Sequence, residues 1–272
     1  MALGVLALAG RVLGAFLLWL VLAVAAQTSV NLLVLRVHLS LLLAAPLGAA
    51  LAVLVALGVA WLFRVRLDHL PWAGMRLLGG LAPFGLVAGV ALGATAIAAV
   101  LAITSAQGQV RSGTLNQPTT LLLALAAFLG VAFGEEVLFR GYLLQTLGER
   151  VPLWSALLVS SLLFGLAHSL AEGLTLGSLM AVVVLGMALD LLRLLSGSLW
   201  LTIGFHTAWS FIANGSLVPL SGRMADRVDG TLAAVIVLGL VAIAALAALT
   251  YGRWSIDWSA QLRPDGGARR LR

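Results

Sequence analysis

The sequence predicts an all-α protein, a polytopic transmembrane helix bundle of about eight spans. Of its 272 residues, 62% are hydrophobic and only 10% charged, whereas a soluble domain carries roughly 25% charged residues. Mean hydropathy is +1.11. The apolar residues come in runs of about 20, the length a helix needs to cross a hydrocarbon core. Such runs fill nearly the whole chain. Residues 1–252 therefore read as a single transmembrane bundle with a motif-bearing core at 119–214, and residues 253–272 as a polar, Arg-rich tail.

The first span is Val12–Leu35, weakened by Gln27, Thr28, Ser29 and Asn31. Arg11 and the run ending in Ala23-Val24-Ala25-Ala26 resemble a signal peptide with its cleavage region. Apolar character resumes at Val30, however, so an uncleaved first helix is expected. Leu39–Phe63 is the second span, followed by a loop holding Arg64, Arg66, Asp68, His69 and Arg76. Leu77–Ala106 is the third; Gly85, Gly89 and Gly93 recur in it every fourth residue, a spacing that lets helix backbones approach closely in lipid. After the polar loop Gln107–Pro118 comes the fourth, Thr119–Gln145, where Gly130 and Gly134 should admit a neighbouring helix beside the acidic residues that follow. Leu153–Leu170 is opened by Pro152, well placed at a helix start. Leu174–Leu195, Leu199–Leu220 and Thr231–Tyr251 complete the eight.

All sixteen basic residues are arginine, the net charge is +6, and there is no cysteine. Disulfides and thiolate chemistry are excluded. The arginines are scattered in short loops and the tail, a pattern of lipid head-group contact and topology setting rather than nucleic-acid binding. Eight spans place both termini on one side. With Arg140 set aside, that side holds eleven arginines, and the other holds Arg36, Arg111, Arg223 and Arg227. The positive-inside rule then puts both termini in the cytoplasm. The lack of lysine and the Ala, Leu, Gly and Arg content resemble a GC-rich bacterium, and hence a bacterial plasma membrane.

The stretch Glu135-Glu136-Val137-Leu138-Phe139-Arg140 sits in surroundings as apolar as lipid. An ionisable group at membrane depth costs about 2.5–3.5 kcal/mol on insertion scales, so it is rarely kept without a use. Glu136 and Arg140 are i and i+4 with the acid first, the favourable order for a helical ion pair. Glu135 points about 100° away and stays free for chemistry. Two further spans carry histidine: His168 ends Phe164-Gly165-Leu166-Ala167-His168, and His206 shares a helix face with Ser210 and Asn214. His38 and His69 fall in loops and have no assigned role, and Asp190 with Arg193 reads as an interface ion pair. A lone intramembrane histidine is more often an interhelical hydrogen-bonder than a catalyst. Together these groups suggest one polar cavity. It could activate water and stabilise an oxyanion, hold a divalent metal, or pass protons or ions. The concentration of titratable groups near one site argues against an ion path.

The three segments resemble the motifs of the CAAX-processing and bacteriocin-processing (CPBP, or Abi) family of intramembrane proteases. That family shows Glu-Glu-x-x-x-Arg, Phe-x-x-x-His and His-x-x-x-Asn or Asp on successive helices of an eight-helix bundle. Here they are Glu135–Arg140, Phe164–His168 and His206–Ser210, within Thr119 to Asn214. The resemblance implies Glu135 as general base on water, His168 as a group that holds and polarises that water, and His206 with Ser210 as oxyanion stabilisers. Glu136 and Arg140 would form a supporting pair. Ser210 stands where the family has Asn or Asp, and Asn214, one turn on, could compensate. Zinc on Glu135, His168 and His206 is a second possibility; the H-E-x-x-H spacing of soluble zinc proteases is absent, which leans the reading toward metal-independent catalysis. The implied activity is an endopeptidase acting near the C-terminus or membrane-proximal part of a peptide or membrane protein. The expected partners are that substrate and membrane lipids, with no nucleic acid. The competing reading is a non-proteolytic scaffold or bacteriocin-immunity protein.

Overall fold

The structure is a computed structural model and describes residues 2–77, 82–107, 111–112, 116–172, 176–214, 220–221 and 228–251. Among these, the principal elements are eight helices: α1 (Ala2–Val37), α2 (Leu41–Trp61), α3 (Ala82–Ala106), α4 (Pro118–Glu136), α5 (Leu153–Glu172), α6 (Leu176–Ser196), α7 (Leu199–Ala213) and α8 (Val228–Tyr251). A two-residue antiparallel ladder, Arg111–Ser112 against Leu220–Ser221, ties the loop before α4 to the loop before α8. The all-helical bundle expected from composition is borne out. Six helical stretches are long and apolar enough to cross a membrane, and two more apolar helices are shorter. Phe84, Leu122, Leu176 and Ile243 stand exposed on the outside, an apolar hull suited to lipid rather than water. The tail 253–272 lies outside the described residues.

Two helices do not end where their α-period ends. α2 continues as a π-helical turn, Leu62–Leu67, and α4 as a π-helical turn, Val137–Leu143, followed by an α-helical turn, Leu144–Gly148. The Leu144 amide donates to the Phe139 carbonyl and the Asp68 amide to the Phe63 carbonyl, both i→i−5. A π-turn widens the helix and changes which face its residues present. Here each turn carries a fully buried arginine, Arg64 and Arg140. The two turns meet: the rings of Phe63 and Tyr142 lie 5.9 Å apart, and the Tyr142 hydroxyl donates to Asp68 Oδ2 at 2.8 Å. Around the second turn, Phe139 packs edge-on against Phe16, Trp19 and Phe164 at 5.2–6.3 Å, and this cluster forms the middle of the core.

The small-residue spacings do what their sequence positions imply. A Cβ on Gly89 would overlap the Leu201 carbonyl, and one on Gly93 the Phe205 carbonyl. From the other side, a Cβ on Gly204 would meet the Leu86 carbonyl, so α3 and α7 touch backbone to backbone. Gly130 and Gly134 likewise seat α4 against Ala49 and Ala52 of α2. The seventh span is shorter than expected. It runs from Leu199 only to Ala213, where Asn214 caps it, because Asn214-Gly215 is a helix-stop signal that outweighs the apolar residues beyond. At about 1.5 Å per residue its fifteen residues reach roughly 23 Å, less than a hydrocarbon core.

Candidate active site

Glu135 and Glu136 close α4 just before its π-turn, His168 lies near the end of α5, and His206 sits in the middle of the short α7. Glu136 and Arg140 are fully buried and form the expected pair: Arg140 Nη1 donates to Glu136 Oε1 at 2.9 Å. The same oxygen faces His206 Nδ1 at 3.0 Å. Arg140 is anchored further by Nε donating to Asp190 Oδ1 and Nη2 donating to the Gly186 carbonyl, each at 2.9 Å. Its guanidinium carbon lies 4.4 Å from the centre of the Phe164 ring, close enough for a cation–π contact. Ser160 and Ser161 of α5 donate to the two oxygens of Asp190 at 3.3 and 3.1 Å. A chain of charge-assisted bonds thus runs from α6 through the π-turn to His206. Low dielectric strengthens such a network when its members are satisfied.

The reading of Asp190 and Arg193 as a pair is overturned. Asp190 bonds Arg140, and among the described residues Arg193, also fully buried, reaches the Met75 carbonyl, at 3.4 Å. Arg140, carried into the bundle by the π-turn, meets Asp190 through a single bond from Nε to Oδ1. An i, i+3 partner on Asp190's own helix does not displace it. Sequence reasoning also missed Ser160 and Ser161. A signal was present, because Ser160, Phe164 and His168 stand at i, i+4 and i+8, on one face of α5.

Glu135 takes no part in this network. Its Oε2 lies 3.8 Å from His168 Nε2 and 3.7 Å from His206 Nε2, and it is buried without a hydrogen-bond partner. The side chains of Glu135 and His168 stay 14% and 19% exposed, so the group can be reached, while Glu136 is sealed. The one unpaired carboxylate and the two imidazoles expected from sequence therefore do converge. Ser210, half-buried, lies one turn beyond His206. Asn214 is not brought in: its Nδ2 donates to the Ser210 carbonyl at 2.8 Å, on the exposed end of α7.

The hydrogen bonds fix what the two imidazoles offer. His168 Nδ1 lies 3.0 Å from the Phe164 carbonyl, which can only accept, so Nδ1 carries the proton. His206 Nδ1 likewise faces a carboxylate oxygen. In the neutral rings both Nε2 atoms then present lone pairs toward Glu135 Oε2, itself an acceptor. One donor atom from each of Glu135, His168 and His206 lies within 4.8 Å of the others. Three converging acceptors want a cation or an added proton between them. They fit a divalent metal: imidazoles held at Nδ1 by a carbonyl and a carboxylate are the usual outer support of a metal-binding histidine. The two distances from Glu135 Oε2 to the imidazoles, 3.8 and 3.7 Å, are wider than the roughly 3.3 Å that tetrahedral zinc, bonded at about 2.0–2.1 Å, would set.

Fold and site together define a membrane-embedded helical protein with a carboxylate–diimidazole centre in its core. Residues 117–212, which contain all three motifs, match the family model described as type II CAAX prenyl endopeptidase Rce1-like. This match over about a third of the chain supports the resemblance to the CPBP/CAAX proteases read from the motifs, and with it a CAAX-type intramembrane protease. An uncharacterized 24.3 kDa protein of Escherichia coli is 33% identical over 91 residues, 33% of this chain. The chain spans about two fifths (41%) of the length of that curated relative.

Proposed function

We propose that the chain is an intramembrane endopeptidase that hydrolyses a peptide bond near the C-terminus, or in the membrane-proximal part, of a peptide or membrane protein. The observation that carries this is the convergence of Glu135 Oε2 on the Nε2 atoms of His168 and His206, at 3.8 and 3.7 Å. A water held among these three atoms gives one proton to Glu135 as its oxygen attacks the scissile carbonyl. His168 aligns that water. His206, doubly protonated and steadied by Glu136, donates from Nε2 to the oxyanion, with the Ser210 hydroxyl as a weaker donor. Glu135 then passes the proton to the leaving amine, which restores the carboxylate. Arg140 and Asp190 position Glu136 and touch no substrate.

A divalent metal here would be held by Glu135, His168 and His206 and would supply Lewis acidity toward a carbonyl oxygen. In that form both imidazoles stay neutral. A cation and an added proton both answer three converging acceptors, and chelation separates them: loss of turnover that zinc restores marks the metal form, and turnover surviving thorough chelation marks the doubly protonated His206.

The test of the whole reading is cleavage of a fluorogenic, membrane-anchored peptide by purified protein. Glu135→Gln should lower turnover by about 10²–10⁴-fold while yield and melting temperature are retained. Ser210 in place of the family's Asn or Asp favours the competing reading, a non-proteolytic scaffold or immunity protein. That reading takes over if wild type is inert across a broad peptide library. The bacterial plasma membrane, with both termini cytoplasmic, completes the proposal.

A further inference from the structure

Where α1 begins and the helical turns that extend α2 and α4 end at Leu67 and Gly148, there is an open-sided cleft of about 630 Å³ whose lining includes none of Glu135, Glu136, His168 and His206. Arg11, Asp68 and Arg150 line its polar part, and Ala7, Leu8 and Val151 its apolar part. Its depth in the membrane follows from the spans. Leu6–Val37 begins, Leu41–Leu67 and Pro118–Gly148 end, and Leu153–Leu170 begins within a few residues of it. Trp61 and Trp154, both exposed, flank those same ends, as aromatic residues do at head-group level.

The charges in the cleft do not cancel. Asp68 Oδ1 is 3.5 Å from Arg11 Nε and 3.8 Å from Arg150 Nη2, while its other oxygen is taken by Tyr142. Arg11 also donates from Nη2 to the Leu67 carbonyl at 3.1 Å. Among the described residues, the nearest carboxylate oxygen to Arg150 is thus beyond hydrogen-bond reach. Both arginine side chains are 36% exposed, whereas Asp68 is 2% exposed. The carboxylate holds two guanidiniums side by side that would otherwise repel, and leaves one positive charge facing outward. A single phosphodiester satisfies that charge and the unused donors, in the fork geometry arginine prefers.

We propose that this cleft is a binding site for one anionic phospholipid, its phosphodiester between Arg11 and Arg150 and an acyl chain along Ala7 and Leu8. Basic pockets between spans on the cytoplasmic side of a membrane are the usual seats of such head groups. A zwitterionic lipid brings its own cation to a place where the one carboxylate is already engaged, so the site prefers phosphatidylglycerol to phosphatidylcholine. Hydrolytic activity plays no part in this.

The experiment is native mass spectrometry of the full chain in neutral detergent, titrated with dioleoyl phosphatidylglycerol, dioleoyl phosphatidylcholine or inorganic phosphate. Each of the two cleft arginines that face the phosphodiester should contribute about fivefold in affinity. Arg11→Gln with Arg150→Gln should therefore weaken phosphatidylglycerol retention by about 25-fold, to the phosphatidylcholine level. Arg150→Gln alone should weaken it about fivefold, which keeps the test open should the double variant fail to fold. Arg66→Gln, on an exposed arginine outside the cleft, should change nothing. Inorganic phosphate should not be retained. Equal retention of the two lipids by wild type, unchanged selectivity in both cleft variants, an equal loss in Arg66→Gln, or displacement of the lipid by millimolar phosphate would each overturn the site.

Discussion

Glu136 and Glu135 are neighbours with opposite fates, and the difference lies in what each oxygen touches. Glu136 Oε1 is held by Arg140 and His206, whereas Glu135 Oε2 meets only the two Nε2 atoms. The 100° turn between successive helical residues is enough to produce this, and it was legible in the sequence. The anchor behind Arg140 was not. Asp190 is 50 residues away from it, and the nearby Arg193 offered a local partner that the fold does not use. Asp190→Ala leaves the buried Arg140 with one carboxylate instead of two. It should destabilise the protein by about 3–5 kcal/mol, read as a shift in detergent-denaturation midpoint, with Asp190→Asn milder because it keeps an acceptor. A melting curve unchanged in Asp190→Ala would mean that Arg140 is held by Glu136 and the Gly186 carbonyl alone. Ser210 is the matching test on the substrate side. Ser210→Ala should lower kcat by about tenfold, the worth of one weak hydrogen bond in a transition state, and Ser210→Asn should restore or exceed wild type. If neither change moved kcat, Ser210 would have no share in oxyanion stabilisation.

Helix packing was easier to read than helix geometry. Four-residue glycine spacing announces a close backbone approach whatever the partner, and Gly89, Gly93, Gly130 and Gly134 all make one. The two π-turns left no such mark. An apolar run has the same composition whether its hydrogen bonds reach back four or five residues, so Val137–Leu143 read as plain helix, while Arg64 and Arg66, read as loop, belong to the π-turn Leu62–Leu67. Their consequence is large, because they turn Arg64 and Arg140 inward and bring Arg140 into reach of a third helix. The site also depends on α3, which contributes no polar group to it. Gly93 lies against the Phe205 backbone, next to His206. Gly93→Ile should push α7 off α3, destabilise by about 1–3 kcal/mol through overpacking, and reduce turnover by displacing His206. Gly58→Ala, in a helix position with nothing within 4 Å, should be neutral or stabilise by up to about 1 kcal/mol. Equal melting temperatures for the two variants would contradict the backbone contact between α3 and α7.

At the scale of the molecule, one end of the bundle gathers its charge. Arg11 binds the Leu67 carbonyl and neighbours Asp68, Arg64 pairs with Glu149 at 2.8 Å, and Arg150 stands beside Asp68. The start of α1 and the ends of α2 and α4 are therefore level, as alternating spans require, while Arg36 closes α1 at the other end. Arg193, counted from sequence as a loop residue, is buried in α6. Removing it leaves ten arginines against four, so the direction of the bias survives the error. Glu135 lies thirteen residues before Gly148, the last residue of the helical turn that extends α4, about 20 Å below the charged end. In the proposed function, water and substrate would have to reach it at that depth, which suits a peptide already lodged in the membrane. Orientation decides which compartment supplies the polar end of that peptide. The arginine bias predicts a cytoplasmic charged end: a fluorescent protein fused to the C-terminus should fluoresce, and alkaline phosphatase fused there should be inactive. The reverse pattern would turn the bundle over and place the arginine-rich end, with its lipid cleft, outside the cell.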